Sequence, residues 1–490
     1  MSIRIGIGLD IFSNRIDPEA QSIYNRIIAI PNGFSNLSRL NYFVKGLKAI
    51  YGTLSNVPVC YDAHWIGGVL GSGVGATAGQ ACARLCSLTV AGDAVQATAS
   101  AQPLLLMHGG AASDNYWYGS GVNGNYVSTP NAAANQITGD IEINISLQLN
   151  DYSGVTMAYI AKDDGVSNRS LQYRQLSGGT HQIILNFGAG LVVYSTTVSA
   201  GLTNGIKYFL KVTRQSSNGN INFYKSTDGV SYTQIGATVS GTVGAMATIN
   251  CPLEIASYQA GTQTLVQGKI YRVTISNTIG GAPVVDFNPA QYNASTSQTQ
   301  WTSSTGEVWT INTGTATTGY KGVICDRIIV MSDGVDDGLL TVGNILSAMP
   351  FTMYLAFRGY VNNATGGKAN FGQFNIDGAI GRNNATSILL WGGSPSTIYL
   401  TDTADSNKIN MVTVLRKLGV NNTSMQINQN VAKLSNASGG FGADKIFIFT
   451  DSFGSDNSSF QTSVISSIED TTQQKLAMYN LIRSLNNNAF

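Results

Sequence analysis

Residues 141–149 read IEINISLQL, with an apolar side chain at every second position. The same alternation recurs at 182–187, 208–214 and 221–225, and short turns rich in Gly and Asn separate the segments. Because successive side chains of a strand point to opposite faces, this period predicts strands with one buried face. Strands at such spacing, without long helices between them, indicate a β-sandwich and not a βαβ fold.

The composition agrees with a mainly β globular protein. Of the 490 residues, 43% are hydrophobic, 11% are charged and 55 are Gly, so disorder is excluded and tight turns are expected. The 28 Lys and Arg balance the 27 Asp and Glu, which gives no field that favours nucleic acid. No apolar run approaches the roughly 20 residues of a transmembrane helix, so we expect no membrane insertion. The five cysteines are an odd number, which favours reduced thiols over a disulfide framework. We therefore expect synthesis in a cytoplasm.

Helical spacing of apolar residues replaces the strand period at the two ends of the chain. Residues 17–29 begin with a capping Asp followed by Pro, and residues 35–50 carry one continuous apolar face. A third short helix is predicted at 76–88 and a final one at 469–486. The first helices would bury little surface by themselves, so we expect them to dock on a neighbour.

The sequence predicts two β units that are diverged copies of each other. KVTR at 211–214 corresponds to TVLR at 413–416, and KIYRVTI at 269–275 corresponds to KIFIF at 445–449. Each pair occupies a similar place within its unit, so the simplest explanation is a repeated sandwich.

The predicted organisation therefore has four parts. Residues 1–94 form a helical and irregular attachment region, and residues 95–290 form the first sandwich. Residues 291–320 form a connector that holds two Trp, and residues 321–490 form the second sandwich with its C-terminal helix.

Several short motifs resemble structural proteins of tailed phages and prophages that contain laminin-G or concanavalin-like domains. They are VQATASAQPL at 95–104, GSGVNGNYVSTP at 119–130, MSDGVDDGLLTV at 331–342, WTSSTGEVW at 301–309 and LNYFVKGLKAIYG at 40–52. The resemblance implies two concanavalin A-like (laminin-G type) jelly-roll sandwiches in tandem after a small helical N-terminal region.

The same resemblance implies a bacteriophage virion protein, made in the bacterial host cytoplasm, such as a head fibre, a capsid decoration or a tail fibre. Its partners would be other virion proteins, further copies of itself and host-surface or mucosal glycans. Two alternatives stay open: a glycan depolymerase or lyase on the same fold, and a purely architectural capsid or tail subunit.

Catalytic motifs are sought because concanavalin-like folds also house glycan-cleaving enzymes. The Glu-x-Asp-x-x-Glu strand of related glucanases is absent, and its nearest approach, Asp140 and Glu142, continues with Asn144. Glycoside hydrolysis needs two carboxyl groups that flank the bond. We therefore expect a protein that is not an enzyme and uses no cofactor.

Candidate glycan-binding residues are aromatic, because sugar C–H faces stack on rings. Tyr116, Trp117 and Tyr118 lie in one segment, and Trp391 and Tyr399 flank the turn GGSPST. Strand alternation would place Trp117 opposite its two neighbours, so at least one of these three rings is expected in the core.

Two sets of residues are candidate metal ligands, although simpler explanations exist for both. Zinc would use four soft ligands, and calcium would use the carboxylates of one turn. The favoured explanations are that the cysteines are small core residues and that the aspartates belong to an ordinary Asp-Gly turn. The sets are Cys60, His64, Cys82 and Cys86 for zinc, and Asp333, Asp336 and Asp337 for calcium.

Overall fold

The computed structural model describes most of the chain in fifteen segments. These are residues 15–30, 33–66, 80–88, 92–315, 319–333, 337–341, 350–359, 368–373, 379–384, 387–392, 397–403, 409–416, 423–435, 446–449 and 458–486.

Three α-helices are described, α1 (Pro18–Ile28), α2 (Leu37–Tyr51) and α3 (Thr472–Leu485), and they confirm the helices predicted at both ends. The Asp17 carboxylate caps α1 by accepting from the Glu19 backbone N–H, and Thr471 and Gln474 form a capping box on α3. Short 3-10 helices occupy Leu54–Asn56, Ala99–Ala101, Ala112–Asp114, Ala133–Asn135 and Pro289–Gln291.

The helix predicted at 76–88 is wrong over the part that is described. The chain there forms strands, and the early strands are β1 (Val59–Asp62), β2 (Gln80–Ala81), β3 (Arg84–Leu85), β4 (Ala94–Val95) and β5 (Leu104–Leu106). β2 pairs with β5 and β3 pairs with β4. Strand pairing outweighs the local helical spacing, because it satisfies the backbone hydrogen-bonding groups within two sheets.

The first sandwich is continuous in sequence. Its strands are β6 (Tyr116–Ser120), β7 (Asn125–Thr129), β8 (Ile141–Leu149), β9 (Met157–Asp163), β10 (Arg169–Gln175), β11 (His181–Asn186), β12 (Leu191–Ser195), β13 (Tyr208–Arg214), β14 (Asn220–Ser226), β15 (Thr233–Gln234), β16 (Val239–Ser240), β17 (Leu253–Ile255), β18 (Gln267–Ser276), β19 (Val285–Phe287), β20 (Gln300–Thr302), β21 (Val308–Thr313) and β22 (Val323–Cys325). Sheet S1a has the order β12-β11-β10-β9-β17-β7-β21-β20. Sheet S1b has the order β15-β14-β13-β8-β18-β6-β22, with β16 on β14 and β19 on β18.

The second sandwich combines the early strands with the C-terminal ones. The latter are β23 (Ile329–Met331), β24 (Leu339–Thr341), β25 (Phe351–Gly359), β26 (Lys368–Gln373), β27 (Ala379–Asn384), β28 (Ser387–Gly392), β29 (Thr397–Thr403), β30 (Asn410–Arg416), β31 (Thr423–Ile427), β32 (Lys433–Ser435), β33 (Ile446–Ile448) and β34 (Ser458–Ser466). Sheet S2a has the order β29-β28-β27-β26-β33-β24-β4-β3. Sheet S2b has the order β2-β5-β23-β34-β25-β30-β31-β32, with β1 on β34.

The protein is thus mainly β, with two jelly-roll sandwiches, but the predicted boundaries need correction. The first sandwich spans 116–325 and is inserted into the second, which takes its strands from 59–106 and 329–466. The expected connector at 291–320 is part of the first sandwich, because β20 and β21 complete S1a. Trp301 and Trp309 pack around Phe287 in its core.

The helices form a third layer on S2b and do not extend away as a separate region. Along β25, Met353 and Leu355 face the core between S2a and S2b, whereas Tyr354 packs on the helix side. Leu40, Phe43 and Leu47 of α2, and Met478 and Ile482 of α3, are buried in this layer. The apolar faces that suggested attachment to another protein are covered within the chain.

The crossing of α2 and α3 explains a glycine in the middle of a helix. A Cβ added at Gly46 would lie 2.7 Å from Leu481 Cδ1, so the two helices approach too closely for a larger residue. Gly is unfavourable inside helices by about 1 kcal/mol relative to Ala, and the close packing offsets that cost.

Candidate binding cleft

An open cleft of about 700 Å³ lies at one end of S1a. Strands β7 and β21, the loop at 256–264 and one residue of the second sandwich surround it. Its lining residues are Asn123, Gly124, Tyr126, Ala260, Thr262, Thr299, Ile311, Asn312, Thr313, Gly314, Thr315 and Arg358. Hydroxyl and amide groups predominate among the described lining residues.

Strand pairing places the main polar groups of the cleft. Tyr126 of β7 lies directly opposite Asn312 of β21, and alternation turns both side chains outward while Val127 enters the core. Asn312 Nδ2 donates to Ser128 Oγ at 3.1 Å and to the Thr310 carbonyl at 3.2 Å. These bonds fix the amide plane beside the tyrosine ring.

The loop at 256–264 has an unusual backbone. Ala256, Gln259, Ala260 and Thr264 all have positive φ, at 73°, 57°, 53° and 46°, although none of them is glycine. Left-handed conformations of such residues cost free energy and concentrate at ligand-binding positions. This loop supplies Ala260 and Thr262 to the wall of the cleft.

Buried Glu254 holds the strained loop in place. Its carboxylate accepts from Ser257 Oγ at 3.0 Å, from the Ala260 N–H at 2.7 Å and from the Gly261 N–H at 3.3 Å. Burial raises the pKa of Glu254, and the hydrogen bonds to the loop oppose that shift. The residue therefore positions the wall of the cleft from behind.

Gly261 allows the loop to touch the tyrosine ring. Its φ is 76°, and an added Cβ would lie 2.4 Å from Tyr126 Cδ1. Its carbonyl also accepts from the Gly124 N–H at 2.8 Å, which ties the loop to the turn before β7. Burial and the Glu254 carboxylate raise the pKa of Tyr126, so its phenol stays neutral and able to donate a hydrogen bond.

The second sandwich completes the cleft through Arg358 on β25. Its Nη2 group donates to the Gln298 carbonyl at 3.4 Å, and Gln298 Oε1 accepts from the Ile409 N–H at 2.7 Å. Gln298 belongs to the first sandwich and Ile409 to the second, so these contacts join the two beside the cleft.

Three of the aromatic residues predicted to bind glycans are not available to a ligand. Tyr116, Trp117 and Tyr118 lie on β6 and are 2%, 0% and 2% exposed. Trp117 faces the core of the first sandwich, while both tyrosines pack with Leu104 and Leu106 of β5. The predicted alternation is confirmed, but the tyrosines fill the joint between the sandwiches and offer no free ring face.

The other predicted aromatic pair is placed only by its backbone. Trp391 lies on β28 and Tyr399 on the adjacent β29, where Trp391 pairs with Ile398. The side chains of both residues lie outside the described part of the structure.

The cysteine candidates are dispersed among strands. Cys60, Cys82 and Cys86 are all free and buried, and Cys82 packs in a different apolar cluster from the other two. The Nδ1 atom of His64 lies 2.7 Å from Asp62 Oδ1, which already accepts from Arg39 Nε. Within the described segments, no three His, Cys, Asp or Glu side chains are arranged to hold a metal ion.

Two of the three calcium candidates, Asp333 and Asp337, are joined by a hydrogen bond. The Asp333 N–H donates to Asp337 Oδ2 at 2.8 Å, and Asp337 is buried. Asp336 lies outside the described residues.

Sequence reasoning missed Tyr126, Asn312 and Arg358. The available signal was the turn VNGN at 122–125, where Gly and Asn precede an alternating strand, since loops on a rigid scaffold often carry binding residues. The partner strand and the arginine are distant in sequence, so only the fold brings them to that turn.

Comparisons with known proteins give structural neighbours and no family. No protein-family model matches the chain, and a search of curated proteins gives no match. Domains LG4-5 of the mouse laminin alpha1 chain align with 11% identity, a TM-score of 0.29 and coverage of 74% of this chain and 90% of that chain.

Two shorter matches involve a carbohydrate-binding module and a phage tailspike. The Ruminococcus gnavus IT-sialidase CBM40 bound to α2,3 sialyllactose has 9% identity and a TM-score of 0.25, and covers 33% of this chain and 90% of its own. The active domain of bacteriophage CBA120 tailspike protein 2 has 14% identity and a TM-score of 0.23, with 34% and 29% coverage. The two jelly rolls are established by the strand pairing of the four sheets.

No helix in the described segments is long and apolar enough to cross a membrane.

Proposed function

We propose that this protein is a non-enzymatic glycan-binding protein whose ligand lies in the cleft at the end of S1a. The carrying observation is the lining itself: a half-buried tyrosine beside a fixed amide, hydroxyl groups around them, and a strained loop held by Glu254. Sugars present C–H faces that stack on rings and hydroxyls that need paired donors and acceptors. Tyr126 and Asn312 together supply both kinds of contact.

Binding without cleavage fits the chemistry of the described lining residues. None of them is Asp, Glu or His, and Glu254 directs its carboxylate into the loop. Hydrolysis of a glycosidic bond needs a carboxyl pair on either side of it, at separations of about 5 to 9.5 Å. Depolymerase activity would therefore contradict this function.

The proposed setting is the surface of a bacteriophage particle, as a head fibre, capsid decoration or tail fibre. The motif resemblance supports this setting, together with assembly with other virion proteins and with further copies of the chain. Mass spectrometry of purified particles, with the copy number per particle, tests it; absence from the particle contradicts it.

The binding proposal is tested by affinity for host polysaccharides and mucin glycans with two tyrosine variants. Tyr126→Ala should weaken binding about tenfold, which corresponds to 1.4 kcal/mol of lost stacking and hydrogen bonding. Tyr232→Ala is the matched control, because Tyr232 is also half-buried but contacts Lys211, a residue of S1b. If both variants lose the same amount of affinity, the cleft is not the glycan-binding site.

Reducing ends are measured in the same incubations. We expect retention of the glycan without new reducing ends. New reducing ends would show that the protein cleaves the glycan, and would contradict the non-enzymatic function.

A further inference from the structure

We propose that the ionised Glu254 carboxylate holds the loop at 256–264 in its glycan-binding shape, so that affinity falls when this carboxylate is protonated in mild acid. This inference rests on the proposed function and adds a regulation of the same site. It begins from three hydrogen bonds. Glu254 Oε1 accepts from the Ala260 N–H at 2.7 Å, and Oε2 accepts from the Gly261 N–H at 3.3 Å and from Ser257 Oγ at 3.0 Å.

Protonation of Glu254 weakens the contact with the loop, whichever oxygen takes the proton. A protonated oxygen becomes an O–H donor, and hydrogen bonds to an ionised acceptor are roughly twice as strong as neutral ones. The Ser257 hydroxyl can turn and accept the new proton from Oε2. The backbone N–H groups of Ala260 and Gly261 can only donate, so they lose a strong acceptor and gain nothing in return.

The tip of the loop depends on this carboxylate more than the base does. At the base, the Ala158 N–H of β9 donates to the Thr264 carbonyl at 2.8 Å, a backbone bond that does not titrate. The tip carries Ala260 and Thr262, which line the cleft. Left-handed residues persist only where their surroundings over-determine them. Protonation should therefore loosen the wall of the cleft and leave the sandwich folded.

The surroundings of Glu254 move its titration towards neutral pH. The side chain is 5% exposed, and burial raises its pKa, while the hydrogen bonds from the loop lower it. The negative charge of Asp163 on β9, which is paired with Arg169, raises the pKa of Glu254 further. An exposed glutamate titrates near pH 4.3, so Glu254 takes up its proton in milder acid than that.

Three other titratable groups near Glu254 keep their charge as the pH falls from 7.0 to 4.5. Burial and the Glu254 charge raise the pKa of Tyr126, and burial raises the pKa of Cys251 to about 11, so both stay neutral. Burial lowers the pKa of Lys162 to about 8, which leaves it mostly protonated throughout. A change in affinity over this range therefore does not come from these three groups.

The test measures the affinity of the full chain for host polysaccharides and mucin glycans between pH 7.0 and pH 4.5. We expect wild-type affinity to fall about fivefold, the effect of one weakened hydrogen bond. By linkage, binding should also release protons in the acidic part of this range, which calorimetry in buffers of different ionisation enthalpy measures. Any titration of the glycan is common to wild type and variants, so the difference between them reports the protein.

Glu254→Gln keeps the shape of the side chain but cannot titrate. Its affinity at pH 7.0 should lie near that of the wild type at pH 4.5, and the fall with pH should disappear. Ser257→Ala removes a hydrogen bond that favours the ionised form, so the midpoint of the fall should move to higher pH. Glu142→Gln is the matched control, because Glu142 is also buried and accepts from Asn144 Nδ2 and the Gly280 N–H, but on S1b. Its pH profile should match the wild type.

A wild-type affinity that does not change with pH overturns the inference but leaves glycan binding intact. The same holds if Glu254→Gln retains the pH dependence. If no glycan binds, or if Tyr126→Ala has no effect, the proposed function itself fails. If Glu254→Gln does not fold, Ser257→Ala decides, because an unchanged midpoint contradicts the role given to Glu254. Circular dichroism at both ends of the pH range establishes that each protein is folded.

Discussion

The two sandwiches share an architecture but are assembled differently. The first is one continuous segment, 116–325, whereas the second is built from strands at 59–106 and 329–466 and is covered by three helices. The ends of the insertion lie side by side, since β5 pairs with β23 and β6 pairs with β22. The first sandwich can therefore close its own core, while the second depends on a segment that precedes the insertion.

Polar anchoring also differs between them. In the second sandwich, charged groups tie the helix layer to S2b: Arg39 of α2 binds both oxygens of Asp62, and its Nη1 donates to the Leu485 carbonyl at the end of α3. In the first, Arg214 is buried and donates to the carbonyls of Gly139, Thr242 and Gly244. Charged side chains thus join the separate chain segments that build the second sandwich, whereas in the first an arginine binds backbone carbonyls within one continuous segment.

The sharpest way to break this comparison is truncation. Deleting residues 1–88 removes α1, α2 and β1–β3, so the layer on S2b loses two of its three helices, and β34 and β4 lose their partners β1 and β3. We expect the second sandwich to lose its cooperative thermal transition and to aggregate. A fragment of residues 112–326 should keep a β-rich circular dichroism spectrum and a single transition.

The two experiments together show which sandwich folds without the rest of the chain. If the truncated chain melts like the intact protein, the N-terminal segment is dispensable and the insertion account is wrong. If the 112–326 fragment is unfolded, the first sandwich depends on its host.

Local sequence patterns predicted the positions of strands and helices better than they predicted which strands pair with each other. The strand at 141–149 and the helices at 17–29 and 35–50 followed from periodicity, because side-chain spacing reports which face is buried. The early strands are two or three residues long at β2–β5, too short for a period, and the Cys-rich segment near them has helical spacing. Their strand conformation depends on partners such as β24, more than 200 residues away.

The binding cleft was hidden from sequence for a related reason. Consecutive aromatic residues, such as those at 116–118, are as typical of buried strand positions as of a sugar-binding surface. In this protein they are buried. The cleft instead combines a single tyrosine, an opposite-strand amide and an arginine from the other sandwich. Only the register of β7 on β21 and the contact through Gln298 bring these together.

A buried carboxylate in the second sandwich should have the next largest effect. Asp470 accepts hydrogen bonds from the hydroxyls of Tyr51, Tyr354 and Ser466, and thereby joins α2, β25 and β34 ahead of α3. Asp470→Ala leaves two buried phenols without this acceptor, so we expect a loss of about 4 kcal/mol in the free energy of unfolding. Denaturant titration measures it.

The control in the first sandwich is Tyr152→Phe. That buried phenol donates to the Ile206 carbonyl at 2.9 Å, a contact within the continuous first sandwich, and its removal should cost about 1 kcal/mol. Equal costs for the two variants would show that polar anchoring does not distinguish the two sandwiches.

Acid should act on the first sandwich through His181. The ring is fully buried between Tyr159 and Tyr173, neither of its nitrogens has a hydrogen-bond partner in the described structure, and burial lowers the pKa to about 4. The unfolded chain binds this proton near pH 6.5, so the stability contribution is present above pH 6.5 and is lost as the pH falls towards 4. The free energy of unfolding falls by about 3 kcal/mol over this pH range.

The 112–326 fragment isolates this effect, because His181 is its only histidine. His181→Phe keeps an aromatic ring in the core and should reduce the drop in unfolding free energy between pH 7 and pH 4.5. Carboxylates titrate in both proteins, so the difference between them reports the histidine. Identical pH profiles would show that the ring is hydrated or hydrogen-bonded in solution.

The smallest expected effect concerns metal at the cysteines of the second sandwich. Burial raises the pKa of Cys82 and of Cys86 to about 12, and the Cys82 thiol lies 3.6 Å from the Arg84 carbonyl, so neither is prepared as a thiolate ligand. A structural zinc would contribute on the order of 10 kcal/mol to folding. We therefore expect a chelator to leave the melting temperature of the intact protein unchanged within about 1 °C, since it would remove no metal that stabilises the fold.

Cys82→Ser should melt slightly lower with or without chelator, because it places a hydroxyl in an apolar cluster. A large chelator-induced drop that Cys82→Ser abolishes would instead establish a metal site, and would make the second sandwich metal-dependent where the first is not.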